Sequence, residues 1–159
     1  MLKVTGEEDK KLYSGVKQEG IYHPEGGTIQ TMPETEEAKQ KEVIAVKEKS
    51  LLKKLKDGKQ VYMNTCFACH QAEGQGIPNA FPPLAKSDYL NADVERAIGV
   101  VLNGLTGEIT VNGKKYNSVM TRQTLTDEEV ADVMTYVYNS WGNNKTNVSI
   151  KTVQEVKNN

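Results

Sequence analysis

The sequence is poor in the residues that build a self-sufficient core. Of its 159 residues, 37% are apolar and 6% aromatic. A core of polypeptide alone would be thin, and a large apolar cofactor would complete it. No run approaches the 18 apolar residues that a transmembrane helix needs, so no membrane span is expected. The formal net charge is −1. That balance lacks the basic surface with which nucleic-acid binders neutralise phosphates. The opening stretch MLKVTGEEDK has no apolar centre, so no signal peptide is expected there. The chain reads as cytosolic, as a mature form, or as a fragment of something larger. Internal repeats are absent, and the length suits one domain with extensions.

What is there divides unevenly. Residues 1–33 carry an acidic turn, several glycines and two prolines among isolated apolar residues. LKVTG alternates like the end of a strand with no hairpin partner after it. A lone strand is unstable in water, so this segment reads as a tether whose start belongs to a sheet elsewhere. Residues 34–49 are charged and helix-forming, with apolar surface only at Val43, Ile44 and Val46. Residues 50–142 read as a compact helical domain. Ser50 is placed to cap a helix carrying Leu51, Leu52, Leu55, Tyr62 and Met63. Asn91 is placed to cap a second, with Val94, Ala97, Ile98, Val101 and Leu102 on one face and Gly104 at its end. ITVNGKKY predicts a hairpin turning at Asn112-Gly113. Thr126 and Glu129 predict a capping box for a last helix with a stripe from Val130 to Trp141, stopped by Gly142. Residues 143–159 are polar and read as a loose tail.

The chemistry concentrates in CFACH, Cys66 to His70. A zinc site needs four ligands, and the other histidine, His23, stands alone in the tether. A redox disulfide belongs at a helix start after a strand, whereas this motif ends a helix. Haem accounts for all five residues. Two thiols at this spacing can add to the two vinyl groups of one porphyrin, and the next residue presents an imidazole to the iron. This is the c-type attachment signature. A second axial ligand is then sought among Met32, Met63, Met120, Met134, His23 and the lysines. Met63 lies too near the attachment site in sequence, and Met134 reads as core. Met120 lies in the loop YNSVMTRQTLT after the hairpin. From the pattern alone it is either the ligand or an ordinary loop methionine.

On these residues the chain resembles a class I cytochrome c across 50–142. Gly58, Tyr62 and Cys66 fall four apart as in that family's first helix, where the glycine lets the last helix cross closely. Val133 and Tyr136 stand where the family places the partners of that crossing. Pro82-x-Leu84 matches the loop after the attachment site, and YNSVM matches the segment delivering the axial methionine. The resemblance implies a mainly α fold: three to four helices around one covalent haem c, with a small hairpin before the methionine loop. It implies thioethers at Cys66 and Cys69, His70 and Met120 as iron ligands, and the Pro82 carbonyl on the other nitrogen of His70. Thr121-Arg122 stands where a proline commonly follows the methionine, which implies a more mobile loop.

A second resemblance lies in the tether. LKVTGEEDKKLYSG and GIYHPEGGTIQ are similar to the end of the second cupredoxin domain of a copper nitrite reductase, and SWGN occurs in haem domains fused to such enzymes. This implies an electron carrier, not itself an enzyme, that passes electrons from a small donor protein to a type 1 copper in an enzyme reducing nitrite to nitric oxide. The second resemblance makes Tyr22 or Tyr13 a candidate gate over the copper channel, while the implied haem c attachment, which occurs outside the cytoplasm in bacteria, implies the periplasm. The alternative is a free-standing periplasmic monohaem cytochrome feeding an oxidase or dehydrogenase chain. A haem enzyme or gas sensor with an open iron site is a third class.

Around the implied haem, Ile77, Pro78, Phe81 and the Met120 loop are expected to form an apolar rim, with the exposed edge as electron port. Tyr116 and Arg122 are candidates to hydrogen-bond a propionate. Lys53, Lys54, Lys56 and Lys59 read first as a solvated helix face and second as a docking patch. Trp141 reads as core before relay.

Overall fold

A computed structural model describes residues 35–159 and two paired dipeptides, strands β1 (Gly20–Ile21) and β2 (Gln30–Thr31). Gly20 pairs with Thr31 and Ile21 with Gln30, antiparallel. The expectations placed on LKVTG, Tyr13, Tyr22, His23 and Met32 lie outside the described residues. The chain falls into two units, residues 1–44 and 45–159, and the second carries CFACH.

Helix α1 runs Glu36–Thr65 without a break. It replaces the two segments expected on either side of residue 50. Ser50 is interior to it and caps nothing. No proline and only one glycine, Gly58, occurs between 36 and 65, and a single serine costs a long run of Lys, Glu, Leu and Ala too little to end it. A short helix α2, Phe67–His70, follows directly. A loop then leads to α3 (Asp88–Ala92), whose cap is Ser87, its hydroxyl accepting from the Leu90 N–H at 3.1 Å. Helix α4 (Val94–Asn103) is capped by Asp93, whose carboxylate accepts from the Arg96 N–H at 3.0 Å. Asn91, the expected cap, instead joins the loop after the last core helix: it donates to Asn143 and accepts from the Asn144 N–H.

The hairpin is as expected. Strands β3 (Ile109–Val111) and β4 (Lys114–Tyr116) pair antiparallel, and Asn112 and Gly113 take φ of 50° and 74°. Asn112 also exchanges two hydrogen bonds with Asp88, which pins the turn to α3. Helix α5 (Asp127–Asn139) begins with the full capping box of Thr126 and Glu129. It ends at Asn139, so Trp141 and Gly142 lie beyond it, both with positive φ.

The core lies along α5, where Val130, Ala131, Val133, Met134, Val137 and Tyr138 are buried against Tyr62 of α1 and Ile98 of α4. Gly58 permits the crossing of α1 over α5. A β-carbon there would collide with the Asp132 main chain and reach Tyr136. Tyr136 is thus a partner of the crossing, as expected, and Asp132 comes closer still; Val133 is buried in the core.

The C-terminal residues are not loose. Helix α6 (Ile150–Asn158) is capped by Ser149 and packs against α4 and α5. Val148 and Val153 are buried. Lys54 donates to the Val148 carbonyl at 2.8 Å, and Lys157 pairs with Asp127 at 2.9 Å. A few valines suffice here, because each meets a surface that α4 and α5 already present. Among the described residues no helix is long and apolar enough to cross a membrane.

Candidate functional site

One large cleft opens between α2, α4, α5, the hairpin and the loop after it. Its walls border about 1240 Å³ of space free of protein atoms, part of it open solvent at the mouth. Cys66, Cys69 and His70 lie on its wall, and so do Phe81, Pro82, Tyr116 and Met120. Its remaining lining is mostly aliphatic, with Leu84, Val101, Leu105, Val133 and Val137 among it. Sequence positions 66 to 137 thus converge on one apolar space, which the α-helical periodicity of α4 and α5 supplies from two sides.

His70 is buried, and its Nδ1 lies 3.0 Å from the Pro82 carbonyl oxygen. A carbonyl can only accept, so Nδ1 carries the proton and Nε2 keeps its lone pair for a ligand. Burial holds the imidazole below its ordinary pKa, against the opposing pull of the Pro82 carbonyl, and so favours the neutral form. The Cys66 thiol is pushed up by burial, with the hydrogen bond to Thr65 opposing. Both cysteines are free thiols. Redox-active cysteines sit in settings that favour the thiolate, and this wall does the reverse at Cys66. No group of three or more His, Cys, Asp or Glu side chains gathers to hold a metal among the described residues. The disulfide and zinc readings both lose their footing.

Met120 is on the cleft wall, whereas Met63 is 44% exposed and absent from it. Met134 is both core and lining. Arg122 is exposed and is not among the lining residues, so the structure does not bring it to the site. Thr121 and Gln123, on either side of it, do line the cleft, together with Ser118. Sequence reasoning missed these three, because their direction depends on how the loop closes. Trp141 packs with Tyr62 and Tyr136, ring centroids 5.1 and 5.5 Å away. Two of the four lysines are engaged within the domain: Lys53 with Asp57, and Lys54 with the Val148 carbonyl. Lys53, Lys56 and Lys59 are exposed, whereas Lys54 is half-buried.

The model of the cytochrome c family matches residues 55–141, more than half of the chain. The chain belongs to the cytochrome c family. Cytochrome c-552 of Thermus thermophilus is 44% identical to this cytochrome over 108 residues, covering 64% of this chain and 82% of that protein. The cytochrome c subunit of the quinone alcohol dehydrogenase of Gluconobacter oxydans is 28% identical over 110 residues, 63% of this chain and 22% of the subunit. The fructose dehydrogenase cytochrome subunit of Gluconobacter japonicus is 29% identical over 115 residues, 68% of this chain and 23% of the subunit. The fold is the mainly helical cytochrome c fold with its small hairpin. The cofactor is one covalent haem c, and the cytochrome is an electron carrier. The residues present fit that group: a wide apolar cleft, two free thiols beside a neutral imidazole, and a thioether on the same cleft.

Proposed function

We propose that Cys66 and Cys69 hold the haem by thioether bonds, that His70 and Met120 ligate its iron, and that the cytochrome shuttles electrons between redox proteins outside the cytoplasm. The observation that carries this is the gathering of the CFACH thiols, the His70 imidazole and Met120 on a single apolar cleft. When bound, haem supplies a one-electron iron couple. The protein does the rest. The Pro82 carbonyl fixes the orientation of the His70 ring and makes Nε2 a better donor. The aliphatic walls exclude water, and a dry site with a thioether ligand favours the reduced, less charged state. His70 and Met120, held on a packed frame, would ligate the iron in both oxidation states with little rearrangement of the protein. Tyr116, on the cleft and largely buried, would be a hydrogen-bond donor to a propionate of the bound haem.

The relatives favour a free-standing or dehydrogenase-linked carrier over a domain of a copper nitrite reductase. The latter rests on SWGN and on residues 1–33, of which the structure describes only the paired dipeptides β1 and β2. Oxidation of the reduced cytochrome by a type 1 copper protein, and reduction of the oxidised cytochrome by a substrate-reduced quinone-linked dehydrogenase, followed side by side in stopped flow, separate the two.

An optical and redox titration of the holoprotein tests the ligand set. Wild type is expected to show low-spin iron and a methionine–iron charge-transfer band at the red edge of the spectrum. Met120→Ala is expected to lose the band and lower the potential. A variant with band and potential intact would remove Met120 from the set.

A further inference from the structure

Met120 is fixed through its own main chain. Its N–H donates to the Leu105 carbonyl at 2.9 Å, and its carbonyl accepts from the Leu105 N–H at 2.8 Å. These two residues form an isolated antiparallel bridge outside the hairpin ladder. Gly104 lies against the same carbonyl. A β-carbon there would stand 2.6 Å from the Met120 oxygen and 3.0 Å from the Arg122 nitrogen. Two residues before Met120, the Ser118 hydroxyl donates to the Ala80 carbonyl, on the loop that carries Phe81 and Pro82. Three residues after it, the Gln123 N–H donates to the Val101 carbonyl of α4 at 2.9 Å. The loop is thus tied on one side to the end of α4 and on the other to the segment that orients His70.

We propose that Gly104, Leu105 and Ser118 are positioning residues for the Met120 thioether, and that they set how firmly Met120 holds its place against a competing small ligand. The proposal rests on the reading of Met120 as an iron ligand. The physical reason is the shortness of the lever. A methionine side chain has three rotatable bonds and fits many gaps, so its sulfur is localised only as well as its backbone is. Here the backbone cannot retreat without breaking two hydrogen bonds, and nothing larger than glycine at 104 lets those bonds form. Gly104 has φ +82° and ψ −178°, so two demands coincide at it: a positive-φ backbone that side-chain-bearing residues rarely adopt, and the close approach.

The two demands can be separated. Gly107 has φ +97° and open space where a β-carbon would go. Gly107→Ala therefore carries the backbone cost alone, whereas Gly104→Ala also pushes the Met120 carbonyl. Both are made in the holoprotein beside Met120→Ala, with imidazole as the competing ligand. Gly104→Ala is expected to bind imidazole about tenfold faster than wild type, the effect of roughly 1.4 kcal/mol on a barrier, and to weaken the charge-transfer band. Gly107→Ala is expected to match wild type in both. Equal behaviour of the two alanine variants overturns the proposal. If Met120→Ala keeps the band, it is the ligand reading that fails, a separate result. Should Gly104→Ala not fold, Ser118→Ala decides: faster imidazole binding that Ser118→Thr restores supports the device, and unchanged binding overturns it.

Discussion

Gly58 lies so close to Asp132 that a β-carbon on it would stand 2.5 Å from the Asp132 carbonyl carbon and 2.9 Å from the Tyr136 β-carbon. In an exposed helix, alanine for glycine stabilises by about 1 kcal/mol. Here the crossing of α1 over α5 would have to open, and backbone on one side gives the methyl no room. Gly58→Ala is expected to cost about 2–3 kcal/mol, in the range of core overpacking. Guanidinium unfolding of the holoprotein reads the sign directly. A stabilised variant would mean that the two helices do not meet at this residue.

The same crossing holds Tyr62, which is fully buried and donates its hydroxyl to the Gln71 carbonyl at 2.7 Å. Gln71 directly follows the imidazole of the site. Burial, with smaller contributions from Cys66, Tyr136 and Glu73, drives the Tyr62 phenol well above its ordinary pKa, so it remains a neutral donor through any pH the fold survives. Tyr62→Phe keeps the ring packing and removes one hydrogen bond, worth about 1 kcal/mol net. Thermal melts should show that loss, with the charge-transfer band unmoved. A band shifted by this variant would give Tyr62 a part in ligand geometry that its contacts do not suggest.

Features that depend on a few adjacent residues were legible in the sequence. The Asn112-Gly113 turn, the Thr126–Glu129 box and the stripe of α4 are such features, each decided by local chemistry. CFACH was legible as a motif of fixed residue types, and Pro82 through the likeness of Pro82-x-Leu84 to the family's loop, since a main-chain carbonyl by itself demands no residue type. What failed was where two local answers were nearly equal. Asn91 and Asp93 are both good caps two residues apart, and only the contact of Asn91 with Asn143 decides between them. Ser50 is a good cap that a long helix also tolerates. The outward turn of Arg122 depends on the pairing of Met120 with Leu105, which no residue near Arg122 in sequence announces. The inward turn of Gln123 depends on its bond to Val101 in the same way.

The C-terminal helix was missed because its composition is polar, yet its few valines are the ones that count. Val153 is fully buried and Val148 nearly so. The Ser149 cap, with its hydroxyl accepting from the Thr152 N–H at 3.0 Å, was the signal available in the sequence. Val153→Ala removes two buried methyl groups and is expected to cost about 2 kcal/mol. Because Val153 does not line the cleft, the optical spectrum and potential should stay at wild-type values. Unchanged stability in a chemical denaturation series would detach α6 from the core.

Two carboxylates of α5 should give opposite pH signatures. Burial lifts the Asp132 carboxyl above its usual value; Lys54 and Lys53 pull it down, and Glu128 and Asp57 push it up. Glu129 is held below its usual value, first by the Thr126 backbone N–H and then by the Thr126 hydroxyl. For Asp132 the folded state binds the proton more tightly than the unfolded state, so ionisation costs stability as pH rises through the raised value. Asp132→Asn should therefore be more stable than wild type near neutral pH, and the gain should vanish as pH falls below the usual aspartate range. For Glu129 the contribution is present above the unfolded glutamate value and is lost as pH falls through the lowered folded one. Glu129→Gln should therefore be less stable at neutral pH, with the deficit closing in acid. Unfolding free energies of both variants across the acid range, at fixed ionic strength, give two differences of opposite sign that converge. Parallel differences would mean that burial does not govern Asp132.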